Sequence, residues 1–372
     1  MTKKLNIRLI VLLAALLSTT LTWAVSTVDK LLLSDVTLSP GGDDETQYAT
    51  LSVLSAVRKY AAFNVDIYLP EGVAPAYYEG ELDVYEVEGG ILPKSSRNKY
   101  KHTLDVSYTE SENRLRLICY ASPSTEFNSE AGALYYIGLT ASTYAKPGKK
   151  SVTFKKQNLT TVDETKYEPA DASYDITIGS IAKADLSVSS ANKWSTVILP
   201  FNVTTLPEGL KAYTCNSKDD AAKVFNLNEV TGIEAYTPYV LYSESGYTGT
   251  LTGEVDASQY PDGGTVTKGF LTGAIETQTT NEGYILQKQS GAVKFYKADP
   301  TKTYTIPEGK CWATPDVSTA DSYGLPIVPT AVEGVKANGT APTAEYYDLT
   351  GRKTAEPRDG KVYITKGKKL LK

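Results

Sequence analysis

Apolar residues in this chain recur at every second position in short runs, and Pro or Gly soon cuts each run off. Leu51-Ser-Val-Leu-Ser55, Phe63-Asn-Val-Asp-Ile-Tyr-Leu69 and Leu104-Asp-Val-Ser-Tyr108 show the pattern. Leu115-Arg-Leu-Ile-Cys-Tyr120 and Tyr174-Asp-Ile-Thr-Ile178 follow it, and Gly132-Ala-Leu-Tyr-Tyr-Ile-Gly-Leu139 reads as another strand. Alternation puts apolar side chains on one face of a pleated strand. Ser39-Pro-Gly-Gly42, Leu69-Pro-Glu-Gly72 and Lys146-Pro-Gly148 supply turns, and Asn113 sits at an expected hairpin tip. Between residues 30 and 180 no stretch keeps helical apolar spacing over three turns. A sheet with one apolar face needs a second layer, so the pattern predicts an all-β chain of β-sandwich-like domains. The 27 Tyr against 7 Phe fit it, because a ring with a polar tip suits a half-buried strand.

The organisation read along the chain is two tandem β domains, a linker and a small tail. Residues 25–180 form the first domain and 181–325 the second. The second opens on Trp194-Ser-Thr-Val-Ile-Leu-Pro-Phe201 and closes at Ile306-Pro-Glu-Gly-Lys-Cys-Trp-Ala313. It contains an echo: Tyr239-Val-Leu241 precedes Ser245-Gly246 as Tyr284-Ile-Leu286 precedes Ser290-Gly291, and Leu251-Thr-Gly253 repeats as Leu271-Thr-Gly273. Both Ser-Gly pairs read as tight turns after a strand. Residues 326–344 are rich in Pro, Ala and Thr and read as a linker. Residues 345–372 read as a three-stranded β-meander, too small to hold a core alone.

Residues 1–24 read as an N-terminal signal peptide. Lys3, Lys4 and Arg8 precede the apolar run Leu9 to Leu17, and Thr22-Trp23-Ala24 offers a cleavage site. That run is too short for a bilayer span, and no later one is long enough. The expectation is export to the extracellular space or the bacterial cell surface. Residues 25–351 carry a net charge of −14 and 352–372 carry +6. The acidic body argues against nucleic acid as a partner, and the basic end marks a separate functional unit. Cys119, Cys215 and Cys311 are an odd number. Cys215 with Cys311 is the one pair expected within a domain, and buried unpaired thiols are the favoured state.

Two resemblances refine the picture. Tyr347-Asp-Leu-Thr-Gly-Arg352, Gly360-Lys-Val-Tyr-Ile364 and Gly367-Lys-Lys369 resemble the C-terminal segment of many secreted proteins of the Bacteroidetes phylum. That resemblance implies a sorting tail read by a type IX export machinery. Phe63-Asn-Val-Asp-Ile-Tyr-Leu-Pro-Glu-Gly72, Ala121-Ser122 through Phe127 and Gly132-Ala-Leu134 resemble the cohesin-like and carbohydrate-binding-like sandwiches of such proteins. The second domain resembles uncharacterised modules of the same secreted group through Trp194 to Phe201 and Thr237 to Leu241. A cohesin docks a dockerin, so a protein partner is implied beside a glycan. The dockerin calcium-loop signature does not occur in this sequence.

Catalytic chemistry finds little to work with. His102, the one histidine, lies in Lys99-Tyr-Lys-His102 and reads as an exposed polar strand residue rather than a base. Asp83, Glu86 and Glu88 read as turn or solvent-facing carboxylates, poor general acids for a glycosidase pair. Asp43, Asp44 and Glu45 are weak calcium candidates on a Gly-rich loop, with a solvated charged loop the favoured reading. No other cofactor is expected, since no phosphate cradle or zinc spacing occurs. These readings favour a non-catalytic surface binding or adhesion protein for a glycan or protein ligand. The alternatives are a cohesin-like docking module and, more remotely, a secreted glycoside hydrolase.

Overall fold

The computed structural model describes residues 29–41, 46–93, 101–316 and 318–326, and the backbone of four short strands between 346 and 371. The proposed signal peptide, Asp43, Asp44, Glu45 and the linker beyond Pro326 lie outside the described residues. Contacts divide the chain into a unit ending at Pro326 and another from Ile327. The fold is all-β, and the described helical turns are two 3-10 turns.

The first half has fourteen strands: β1 (Lys30–Leu33), β2 (Thr37–Leu38), β3 (Gln47–Leu54), β4 (Ala62–Tyr68), β5 (Val73–Pro75), β6 (Tyr77–Tyr78), β7 (Glu81–Leu82), β8 (Val84–Glu86), β9 (His102–Thr109), β10 (Arg114–Ala121), β11 (Gly132–Ala141), β12 (Gly148–Thr160), β13 (Lys166–Tyr167) and β14 (Ala172–Ile178). One sheet runs β1-β3-β11-β5, with β8 also on β11; the other runs β2-β14-β12-β4-β10-β9, with β13 on β12. All pairs in these two sheets are antiparallel except β14 with β2. The alternating residues read from sequence face one another between the sheets. Leu51 and Val53 meet Phe63, Val65, Leu115, Leu117, Val152 and Phe154 in one core.

Local polar contacts set the geometry. Asn113, at φ 46°, turns the chain between β9 and β10. Its Nδ2 donates toward the carbonyls of Leu69, Pro70 and Val73 at 3.2, 3.0 and 3.0 Å. Its Oδ1 accepts the Tyr108 hydroxyl at 2.8 Å. The hairpin tip thereby clamps the Leu69–Gly72 turn. On the outer face Asp66 is buried beneath three cations, Arg114 at 3.3 Å, Arg116 at 3.6 Å and Lys156 at 3.4 Å. Burial of a carboxylate is tolerable when charge is met this way.

The second half continues with β15 (Ile181–Val188), β16 (Trp194–Val197), β17 (Lys211–Asp219), β18 (Val224–Val230), β19 (Tyr239–Tyr242), β20 (Tyr247–Glu254), β21 (Thr265–Lys268), β22 (Leu271–Ala274), β23 (Gln278–Thr280), β24 (Tyr284–Gln289), β25 (Ala292–Lys297), β26 (Tyr304–Ile306), β27 (Cys311–Ala313) and β28 (Ser322–Tyr323). Its sheets are β16-β19-β17-β18 and β21-β22-β27-β24-β25-β28, beside the ribbons β15-β20 and β23-β26. One core gathers around Ile198, Leu199 and Phe201. A second gathers around Phe225, whose ring stacks on Tyr323 with centroids 4.5 Å apart.

The repeated motifs divide in outcome. Ser290 and Gly291, at φ 49° and 83°, close the β24–β25 hairpin as expected. Ser245-Gly246 does not return β19 on itself: β20 leaves to pair with β15. The Leu-Thr-Gly pair has a packing reason. A Cβ on Gly253 would stand 2.3 Å from the Phe201 ring, and one on Gly273 would stand 2.7 Å from Ile198 Cδ1. Both glycines let backbone press on one buried segment.

Cys119, Cys215 and Cys311 are buried and unpaired. Burial pushes each thiol up to about 12, so none is a ready nucleophile. The second unit holds β29 (Tyr346–Tyr347), β30 (Lys353–Thr354), β31 (Val362–Thr365) and β32 (Lys368–Leu371), in the order β30-β29-β31-β32. It has one strand more than the expected three-stranded meander, because Lys353–Thr354 folds back on Tyr346–Tyr347.

Gly253→Ala and Gly273→Ala should each destabilise the chain by about 1–3 kcal/mol through overpacking. Gly263→Ala, with open space around its Cβ but φ of 91°, should cost less, about 1 kcal/mol of backbone strain. Urea unfolding of the three variants checks the order.

Candidate binding groove

Among the described residues the first sandwich is not closed along one side. β9 ends its sheet, with His102, Leu104, Val106 and Tyr108 turned inward and Thr103, Asp105 and Ser107 exposed. On the neighbouring β10 the inward Leu115, Leu117 and Cys119 are each 0% exposed. On β9 Leu104, Val106 and Tyr108 stay half-buried. Among the described residues the opposite wall there is the three-residue β8 and the β6–β7 hairpin, turned by Glu79 and Gly80 at φ 53° and 89°. A groove of 880 Å³ lies between these walls.

Aromatic rings give the groove its shape. Tyr77 on the hairpin is 58% exposed. Tyr85 is braced by Tyr48 and Tyr136, with ring centroids at 5.5 and 5.3 Å. Tyr135 lies at the floor, 3.3 Å from Cys119 Sγ. Of the tyrosines, Tyr77 and Tyr120 are the exposed ones among the described residues. Most of the rest act as half-buried strand residues.

His102 corrects the sequence reading. It is buried, not exposed, because it takes an inward position at the start of β9. Its Nε2 donates to the Ala61 carbonyl at 3.1 Å, and its ring lies 5.1 Å from that of Phe127. Burial pulls its pKa below the ordinary histidine range, so the ring is neutral at pH 7. Asp83 is a second correction: it is buried and accepts the Tyr48 hydroxyl at 2.7 Å. Glu86 and Glu88 are exposed, as expected. Among the described residues no group of three His, Cys, Asp or Glu could hold a metal ion.

Strand alternation did not point to a second acidic locus, where the two halves of the first unit meet. Glu71 and Glu308 occupy two similar turns, Leu69-Pro-Glu-Gly72 and Ile306-Pro-Glu-Gly309, and Glu276 follows β22. Ser142 Oγ donates to both oxygens of Glu308 at 2.8 and 2.9 Å. A hydrogen bond with Glu71, then burial, raises Glu276 above the usual carboxylate range. Burial raises Glu308. The repeated Pro-Glu-Gly was the available signal, but nothing in its spacing said that these turns converge.

No protein-family model matches the chain, and no curated protein does. Several solved structures are similar to it. A cohesin module from a Clostridium perfringens family 33 glycoside hydrolase is 11% identical, with 41% of this chain and 98% of that one covered at a TM-score of 0.31. A non-cellulosomal cohesin from Archaeoglobus fulgidus is 13% identical, with 40% and 90% covered at 0.28. A type II cohesin dyad from a scaffoldin of Acetivibrio cellulolyticus is 10% identical, with 61% and 88% covered at 0.28. These are likenesses of β-sandwich outline, and they assign no ligand. No described helix is long and apolar enough to cross a membrane, which says nothing of a β-barrel.

A carboxyl with a raised pKa stabilises the fold below its unfolded value, and that contribution is lost as pH rises through the folded value. Glu276→Gln keeps a hydrogen-bond donor toward Glu71 at every pH. It should raise Tm at pH 7.5 by ~1–3 °C and leave it unchanged near pH 4. Thermal unfolding at both pH values checks this.

Proposed function

We propose that this chain is a non-catalytic binding module that takes an extended protein segment in the open groove of its first sandwich. The observation that carries the reading is the contrast between β10, whose inward residues are fully covered, and β9, whose inward residues are not. Among the described residues β9 pairs on one edge alone, so its other edge keeps backbone donors and acceptors for an added strand. Half-buried Leu104 and Val106 offer apolar pockets for alternate side chains of that strand, and exposed Tyr77 offers an anchor at the rim. The buried, neutral His102 and the Cys119 thiol, pushed up to about 12, supply no activated nucleophile at the groove. The basic-then-apolar first segment and the basic C-terminal tail support an exported protein held at a cell surface. Exposed Tyr77 and Tyr120 favour the second reading, a glycan ligand stacked on aromatic faces.

The test is to screen the full chain against a random-peptide display library and a glycan array, each with calcium and with chelator. Enriched peptides whose binding falls roughly tenfold or more in Tyr77→Ala and Val106→Lys would support the proposal. Glycan-only retention, peptide binding indifferent to both variants, no retention at all, or release of sugar would each overturn it. Loss of binding in chelator would show that the partner contact depends on calcium.

A further inference from the structure

A second concavity, of 310 Å³, lies in the other half of the unit, between β16 on one side and β24, β25 and the β26–β27 turn on the other. It is independent of the β9 groove. None of its fourteen lining residues is acidic, in a chain with 43 Asp and Glu. Two of them are lysines. Lys310 is half-buried in the wall, and its Nζ donates to Ser195 Oγ at 3.4 Å. Among the described residues it forms no ion pair. Lys288 stands exposed at the rim, its Nζ 3.1 Å from the Ala191 carbonyl.

A cation removed from water without a counter-ion is costly. Burial accordingly pulls the Lys310 ammonium below the usual lysine range. An anionic ligand entering the concavity would meet that cation directly. The remaining lining includes the aromatic Trp194, whose ring packs against Tyr242 with centroids 4.7 Å apart. The Gln287 side chain accepts from Gln289 through Oε1, which leaves its amide donors for a ligand. The volume is at the small end of ligand sites.

We propose that this concavity binds a small carboxylate-bearing ligand, Lys310 and Lys288 taking the carboxylate and Trp194 the ring of an acidic sugar. The chemistry required is a carboxylate within reach of both ammonium groups. A uronic acid and a short peptide C-terminus share that group, and the ring face of Trp194 favours the uronic acid.

The test uses the full chain and three probes: glucuronate, glucose and acetylglycine. Binding is followed by titration calorimetry and by the Trp194 indole resonance in NMR. Glucuronate should bind, shift that resonance and weaken with added salt. Glucose should bind at least about tenfold more weakly. Lys310→Met should reduce glucuronate binding by a similar factor, and the rim variant Lys288→Gln, which leaves the wall intact, should reduce it less. Equal binding of glucose and glucuronate, a still Trp194 resonance, salt-independent binding or silence from all probes would overturn the proposal. Acetylglycine binding without glucuronate would keep the carboxylate site and overturn the sugar assignment.

Discussion

One buried tyrosine ties the two halves of the first unit into a single body. Tyr144 leaves the first sandwich just after β11, yet its ring belongs to the core built on Ile198 and Phe201. Its hydroxyl donates to the Ile198 carbonyl at 2.6 Å, and its own carbonyl accepts the Tyr260 hydroxyl at 2.9 Å. Gly309 passes so close that an added Cβ would stand 2.5 Å from the Tyr144 oxygen. A buried hydroxyl needs a partner, and this one finds it only if the Trp194–Phe201 segment lies where it does. The Glu71, Glu276 and Glu308 cluster gathers beside this joint. The Gly253 and Gly273 contacts press on the same segment.

Among the described residues the first sandwich is finished on one side and open on the other for a geometric reason. β10 is flanked by β4 and β9 and covered by β11 and its neighbours, so its inward side chains lose all contact with water. Among the described residues β9 has one neighbour, and the wall opposite is a short strand and a hairpin. The same inward pattern therefore produces core on one strand and a lined groove on the next.

Charge is distributed as unevenly as shape. Acids converge at the Tyr144 joint, where their mutual repulsion costs stability at neutral pH. They are absent from the lining of the Lys310 concavity, although the chain as a whole is acidic. Asp66 shows the compensated case, a buried carboxylate met by three cations.

Strands β3, β4, β9, β10, β11 and β14 of the first sandwich were legible as short apolar runs, because a half-buried strand must alternate and turns need Pro, Gly or Asn. Asn113 at a hairpin tip and Ser290-Gly291 as a tight turn followed from local backbone preference alone. Unpaired cysteines were legible too, since small apolar thiols suit a core. What alternation cannot say is which faces meet. His102 and Asp83 look like surface residues in sequence, and register and sheet position bury them. Ser245-Gly246 has the chemistry of a hairpin, but β20 pairs along the whole of β15 instead. The groove, the acid cluster and the lysine concavity each join residues far apart in the chain. Local sequence determined strands, turns and class of fold because those depend on neighbours along the backbone. Tertiary structure alone decided the sites, because a site depends on which strand edge is left uncovered and which charge is left without a counter-ion.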